Sequence, residues 1–131
     1  MIEHTGLPVR NFKKAKTFYT AVLKPLGYRR NMDFAGAAGF MEGGHTSFWI
    51  IAGKKPPTMH IAFRAKGKKA VDAFYAAAIK NGAKDNGAPG YRTYSPGYYA
   101  AFVHDADGHN VEAVWFDPAR ERKTRSKKKK R

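Results

Sequence analysis

The spacing of apolar residues changes along the chain in a set order, and then the same order recurs. Phe12, Ala15, Phe18, Tyr19 and Val22 fall at helical intervals behind Asn11, a good N-cap, and ahead of Pro25, which a helix interior does not tolerate. Val71, Phe74, Tyr75, Ala78 and Ile79 repeat that stripe, with Gly82 where a C-terminal cap belongs. A short apolar strand beginning at a histidine precedes each helix. Alternating segments bounded by turn residues follow it, at 28–34, 37–41 and 46–51 in the first half and at 83–85, 98–104 and 110–116 in the second.

The recurrence is a duplication. HTGLPVRNFKKAKTFYTAVLKPLG (4–27) lies on HIAFRAKGKKAVDAFYAAAIKNGA (60–83) without a gap at an offset of 56, which puts His4 on His60 and Phe18-Tyr19 on Phe74-Tyr75. Each copy reads βαβββ. Lys54-Lys55-Pro56-Pro57 connects them, because consecutive prolines stop both helix and ladder. One copy alone would expose a sheet face. The expected fold class is therefore α+β, with two βαβββ modules (about 1–53 and 58–117) forming one curved, barrel-like mixed β-sheet and the helices outside. A chain of 131 residues, 43% of them hydrophobic, suits one such domain over 1–117.

Charge alters this picture only at the C-terminal end. The net charge is +15, and residues 119–131 hold nine Lys/Arg against Glu121, more than half of the excess. A like-charged block with almost no apolar residue does not offset its ordering entropy, so residues 118–131 are expected to be a disordered or weakly helical tail. Its attraction to nucleic acid would be weak and nonspecific: no aromatic residue is interleaved with its charges to stack on bases. No segment approaches the roughly 18 to 20 apolar residues of a membrane span, and the N-terminus lacks a basic start followed by an apolar run. The expected location is the cytoplasm.

Candidate chemistry follows from strand alternation. Ile2, His4 and Gly6 share one face of the first strand, and Thr58, His60 and Ala62 share one face of its counterpart, opposite the larger apolar residues Met59, Ile61 and Phe63. Glu112 interrupts the apolar strand 110–116, on a face with Val114 and Phe116. With no cysteine in the chain, metal ligands must be His, Asp or Glu. Two imidazoles and one carboxylate on strands able to converge make a divalent-metal set, and the cation would offset the cost of burying Glu112. Such a set suits Zn²⁺ with an open position or Fe²⁺ in a facial triad, and Mn²⁺ and Ni²⁺ also fit.

The duplicated unit, the histidine on each first strand and DADGHNVEAV (105–114), close to a "DPDGHxxE" signature, together resemble the vicinal oxygen chelate superfamily over residues 1–117. This superfamily includes glyoxalase I, extradiol dioxygenases, fosfomycin-modifying enzymes and bleomycin resistance proteins. The resemblance implies a metal held by His4, His60 and Glu112, a small oxygen-rich substrate completing its coordination, and a homodimer. It also implies lyase, transferase or dioxygenase chemistry, or alternatively ligand sequestration without reaction, as in the bleomycin resistance members.

Departures from the family pattern narrow the choice. An ungapped match of GGHTSFWI (43–50) to DGHNVEAV (107–114) sets Phe48 against Glu112, where glyoxalase I carries a second carboxylate ligand. Ordinary glyoxalase I activity is thereby disfavoured. Gly6 stands where fosfomycin transferases usually have threonine. Tyr94 and Tyr98 are the catalytic candidates, and these two with Phe48, Trp49 and Arg92 are the candidate substrate contacts; each also suits a rim or packing role. His45, His104 and His109 fall in or beside turns, where solvation is expected.

Overall fold

The computed structural model describes residues 2–54 and 57–129. Lys55 and Pro56 of the expected connection lie outside the described residues. The first module runs β1 (Thr5–Val9), α1 (Phe12–Leu23), a 3-10 turn (Lys24–Leu26), β2 (Arg29–Phe34), β3 (Ala37–Glu42) and β4 (His45–Ala52). The second runs β5 (His60–Arg64), α2 (Lys68–Lys80), β6 (Lys84–Asp85), β7 (Gly90–Tyr91), β8 (Tyr98–His104) and β9 (Asn110–Phe116), followed by α3 (Pro118–Lys129).

Local chemistry sets the helix ends. The Asn11 side chain accepts the Lys14 N–H, and Gly82 takes the positive φ of 92° that closes α2. The first module forms a sheet of order β1-β4-β3-β2, and the second a sheet of order β5-β9-β8-β6 with β7 added along β8. In each, the first strand is an edge parallel to the last, and the other pairings are antiparallel.

The sheets do not merge into the one barrel-like surface expected from the sequence; they remain two. The reason lies in the core. Leu7, Val9, Phe48 and Ile50 of the first sheet share one buried cluster with Phe63, Val103, Val111 and Ala113 of the second, between helices that pack on each other. Phe63 carries the second module into the first, edge-on to Phe48 at 4.9 Å and to Tyr28 at 5.5 Å. Burial on the helix side is thus complete within one chain, and the opposite faces of both sheets stay open.

The DADGH turn joins the modules. Asp105 accepts the Tyr19 hydroxyl at 2.6 Å and the amides of Asp107 and His109, while Asp107 accepts both the backbone N–H and the Nε–H of Arg10. His109, expected to be solvated, is fully buried. Its Nδ1 accepts the Met59 N–H at 2.9 Å, so Nε2 carries the hydrogen and donates to the Pro8 carbonyl at 2.7 Å. His104 is half-buried and His45 exposed.

The tail, expected to be disordered or weakly helical, is helical from Pro118 to Lys129 with no residue of that helix buried. Arg and Lys are good helix formers, proline suits the first turn, and Asp117 accepts the Ala119 N–H at 3.0 Å. Among the described residues no helix is long and apolar enough to cross a membrane.

Candidate metal centre

His60 opens β5, and Glu112 lies one strand away on β9, opposite Ala62. The two side chains meet on the open face of the second sheet with His60 Nε2 3.1 Å from Glu112 Oε1. The other imidazole nitrogen of His60, Nδ1, lies 3.0 Å from the Asn110 carbonyl, which only accepts, so Nδ1 bears the hydrogen. Nε2 is thus the ring atom that meets the carboxylate. Two electron-rich atoms that close need a cation between them, either a proton or a metal ion.

Glu112 is 2% exposed, covered by groups that also shape its surroundings. The Tyr98 hydroxyl donates to Oε2, and Phe102 stacks on the His60 ring at 6.4 Å. Burial, then the hydrogen bond and charge of Glu112, pushes the Tyr98 phenol up to about 12. Tyr98 is thus a protonated donor across the neutral range. Tyr94, 69% exposed, stands edge-on to Tyr98 at 5.2 Å.

His4 does not join this pair. It lies just before β1 on the first module, where its Nδ1 contacts Glu3 Oε1 at 2.8 Å. His45 Nε2 contacts the same oxygen at 3.2 Å and the Glu3 carbonyl at 3.1 Å. The hydrogen bond from His4, more than the nearby positive charge, holds the Glu3 carboxyl below its usual range. Like His60, His4 spends Nδ1 on an oxygen acceptor, which leaves Nε2 as its ligand atom. The predicted ligands accordingly fall apart into two groups, His4 just ahead of the first sheet and His60 with Glu112 on the second.

The remaining candidates separate by face. Phe48 is 1% exposed and packs on Tyr19, Phe40 and Phe63, in the core and away from the open face. The ungapped match of 43–50 to 107–114 fails because of a bulge. Phe40 pairs with Phe48 but Met41 with Thr46, so β4 carries one extra residue at this point. Strand pairing gives the true equivalence. Gly6 faces Trp49, its counterpart Ala62 faces Glu112, and Trp49 therefore occupies the position of Glu112. Trp49 stacks on Phe34 at 6.2 Å and offers no ligand atom, so the missing second carboxylate remains missing. Arg92 is committed locally, donating to the carbonyls of Gly90 and Ala88 with its guanidinium 5.4 Å from the Phe102 ring.

One group escaped the sequence reading. Asp105, Asp107 and His109 each offer a ligand atom within 4.8 Å of the others, the sole such set of three among the described residues. The hydrogen bonds that tie these residues to Tyr19, Arg10, Met59 and Pro8 account for the arrangement. It serves as a clamp between the modules. Both carboxylates stand in the quoted DADGH, but their partners lie 86 and 97 residues away, beyond the reach of local pattern.

Comparison with known proteins agrees with this architecture. The family model described as Glyoxalase/Bleomycin resistance protein/Dioxygenase superfamily matches residues 1–113. A glyoxalase/bleomycin resistance protein from Albidiferax ferrireducens is similar in structure with a TM-score of 0.75 at 28% identity, over 86% of this chain and 96% of that one. A glyoxalase/bleomycin resistance protein/dioxygenase family enzyme from Burkholderia phytofirmans gives 0.69 at 18% identity, over 88% and 98%. The fosfomycin resistance protein FosX from Mesorhizobium loti gives 0.68 at 20% identity, over 93% and 96%. Among curated proteins, none matches the chain.

Proposed function

The chain belongs to the Glyoxalase/Bleomycin resistance protein/Dioxygenase superfamily, and on that premise we propose that it binds a divalent metal ion and acts on a small oxygen-rich molecule. His60 and Glu112 would hold the ion from one chain and His4 from a second copy. The observation that carries this reading is the 3.1 Å separation of His60 Nε2 and Glu112 Oε1, with Nδ1 of the same ring taken by the Asn110 carbonyl. Two ligand atoms on bonds of about 2.1 Å stand about 3.0 Å apart at a right angle and about 3.4 Å apart at the tetrahedral angle, so the separation is of the size a shared ion requires.

The second copy enters through the open faces. His4 immediately precedes the first strand of a sheet whose free side exposes Phe34, Ile51 and Met32, 62%, 46% and 39% accessible. An apolar face of that kind, rimmed by charge, suits association with another protein surface. Closing it over His60 and Glu112 of another chain would bury this patch and complete the ligand set in one step. A homodimer with two equivalent sites follows.

When bound, the ion would polarise neighbouring substrate oxygens and stabilise negative charge developing on them. The chain's own contribution is positional. Asn110 fixes the His60 tautomer, Tyr98 holds Glu112 through one oxygen and leaves the other toward His60, and Phe102 sets the imidazole plane. Trp49 and Tyr94 are aromatic walls for a flat substrate. Lyase, transferase and dioxygenase steps all suit such a site, and glyoxalase I chemistry is disfavoured because Trp49 stands where its second acid would be.

Ligand sequestration without reaction is the second reading. It is favoured by the pairing of Glu112 with both Tyr98 and His60, which satisfies the carboxylate inside one chain. Metal analysis after exposure to Fe²⁺, Mn²⁺, Ni²⁺ or Zn²⁺ distinguishes the two. Retention by the wild type and its loss in His60→Ala and Glu112→Gln is the expected result. A wild type that retains none of the four would leave the sequestering protein standing.

A further inference from the structure

The sequence places no aromatic residue among the tail's charges, but the fold supplies one from elsewhere. The loop between β7 and β8 runs beside α3, and a groove between them is lined by Arg92, Tyr94, Arg120 and Lys123. The junction is tightly built. Asp117 accepts the Tyr91 hydroxyl at 2.8 Å, its backbone N–H donates to the Gly97 carbonyl at 2.8 Å, and the Arg120 guanidinium covers the Tyr91 ring at 3.5 Å. Gly97 has φ 78°, and a Cβ there would lie 2.6 Å from the Asp117 carbonyl oxygen, so only glycine lets the loop approach the root of α3 this closely.

We propose that α3 and Tyr94 form a binding surface for single-stranded nucleic acid. The helix carries seven Lys/Arg and one Glu over Pro118–Lys129. Lys123 and Lys127, and Arg125 and Lys129, stand four residues apart, a spacing at which like charges oppose helix formation until a polyanion neutralises them. No residue of α3 is buried, and beyond Pro118 and Ala119 it has no apolar side chain. This distinguishes it from a membrane-surface helix, which needs an apolar face to insert. Tyr94, 69% exposed beside the cations, adds what charge alone lacks: a platform on which an unpaired base can stack. Duplex bases are already stacked on one another, so the surface favours single strands.

Fluorescence anisotropy of the full chain with a labelled oligothymidine tests the assignment, with folding of each variant checked by circular dichroism. Arg120→Gln with Lys123→Gln is expected to weaken binding about tenfold and to lower the salt-dependence slope by about 1.4, the value for two lost single-strand phosphate contacts. Lys69→Gln with Lys80→Gln, which removes the same charge from α2, should change affinity by less than about twofold. Tyr94→Ala should weaken oligothymidine about fivefold or more, yet leave inorganic polyphosphate, which has no bases, unaffected. The proposal is overturned if oligothymidine does not bind, if both charge pairs act alike, if Tyr94→Ala has no effect, or if phosphatidylserine vesicles hold the chain more tightly than the oligonucleotide.

Discussion

His109 and Pro8 lie 101 residues apart in sequence and 2.7 Å apart in space, joined by a hydrogen bond from the imidazole of one module to the backbone of the other. The same ring takes the Met59 N–H on its other nitrogen. Because the ring is wholly buried, removing it leaves two unpaired backbone groups and a void.

Replacing His109 with alanine should therefore destabilise the protein by about 3 kcal/mol in urea unfolding. His45→Ala, at an exposed ring beside Glu3, should cost less than about 1 kcal/mol. Equal effects at the two positions would show that the buried ring does not fasten the modules.

The proposed two-copy metal site predicts complementation. His4→Ala and His60→Ala should each abolish metal binding alone. After subunit exchange half of the dimers are mixed, and each mixed dimer has one site with both histidines intact, so about a quarter of wild-type metal content should return. Ligands drawn from a single chain would give no recovery on mixing.

Tyr99 offers a pH test remote from that site. It anchors β8 to α2 through a hydrogen bond to Asp72. Burial, followed by the Asp72 hydrogen bond and charge, raises its phenol from 10 to about 12. Since the folded value exceeds the unfolded one, the associated stability is full below pH 10 and is lost as pH rises through about 12. Urea midpoints of the wild type should fall more steeply across this interval than those of Tyr99→Phe. Parallel curves would mean that this phenol does not couple folding to protons.

Residues that speak to their near neighbours were legible from sequence. Asn11 marked the start of α1, Gly82 the end of α2, and Tyr98 to His104 the bounds of β8. The faces were legible too: alternation set His60 and Glu112 on the open side of their sheet, because side-chain period is local. What alternation cannot carry is the placement of one sheet relative to another. The core could be completed through the helices, and it was, so His4 and His60 share a repeat position without sharing a neighbourhood. The buried state of His109 depended on Pro8, nearly a whole chain away. Composition left the tail between disorder and weak helix, because it weighs charge and carries nothing of the docking of Asp117 and Arg120 onto Tyr91.

The bulge in β4 decides how this scaffold can be re-engineered. A carboxylate grafted by copying the second half onto the first letter for letter would land at 48, wedged among Tyr19, Phe40 and Phe63, and would wreck the interior without ever meeting a ligand. Position 49 is where a carboxylate matching Glu112 has to go. The halves are homologous but no longer in phase, and any chimera or transplanted motif must count pleats rather than residues.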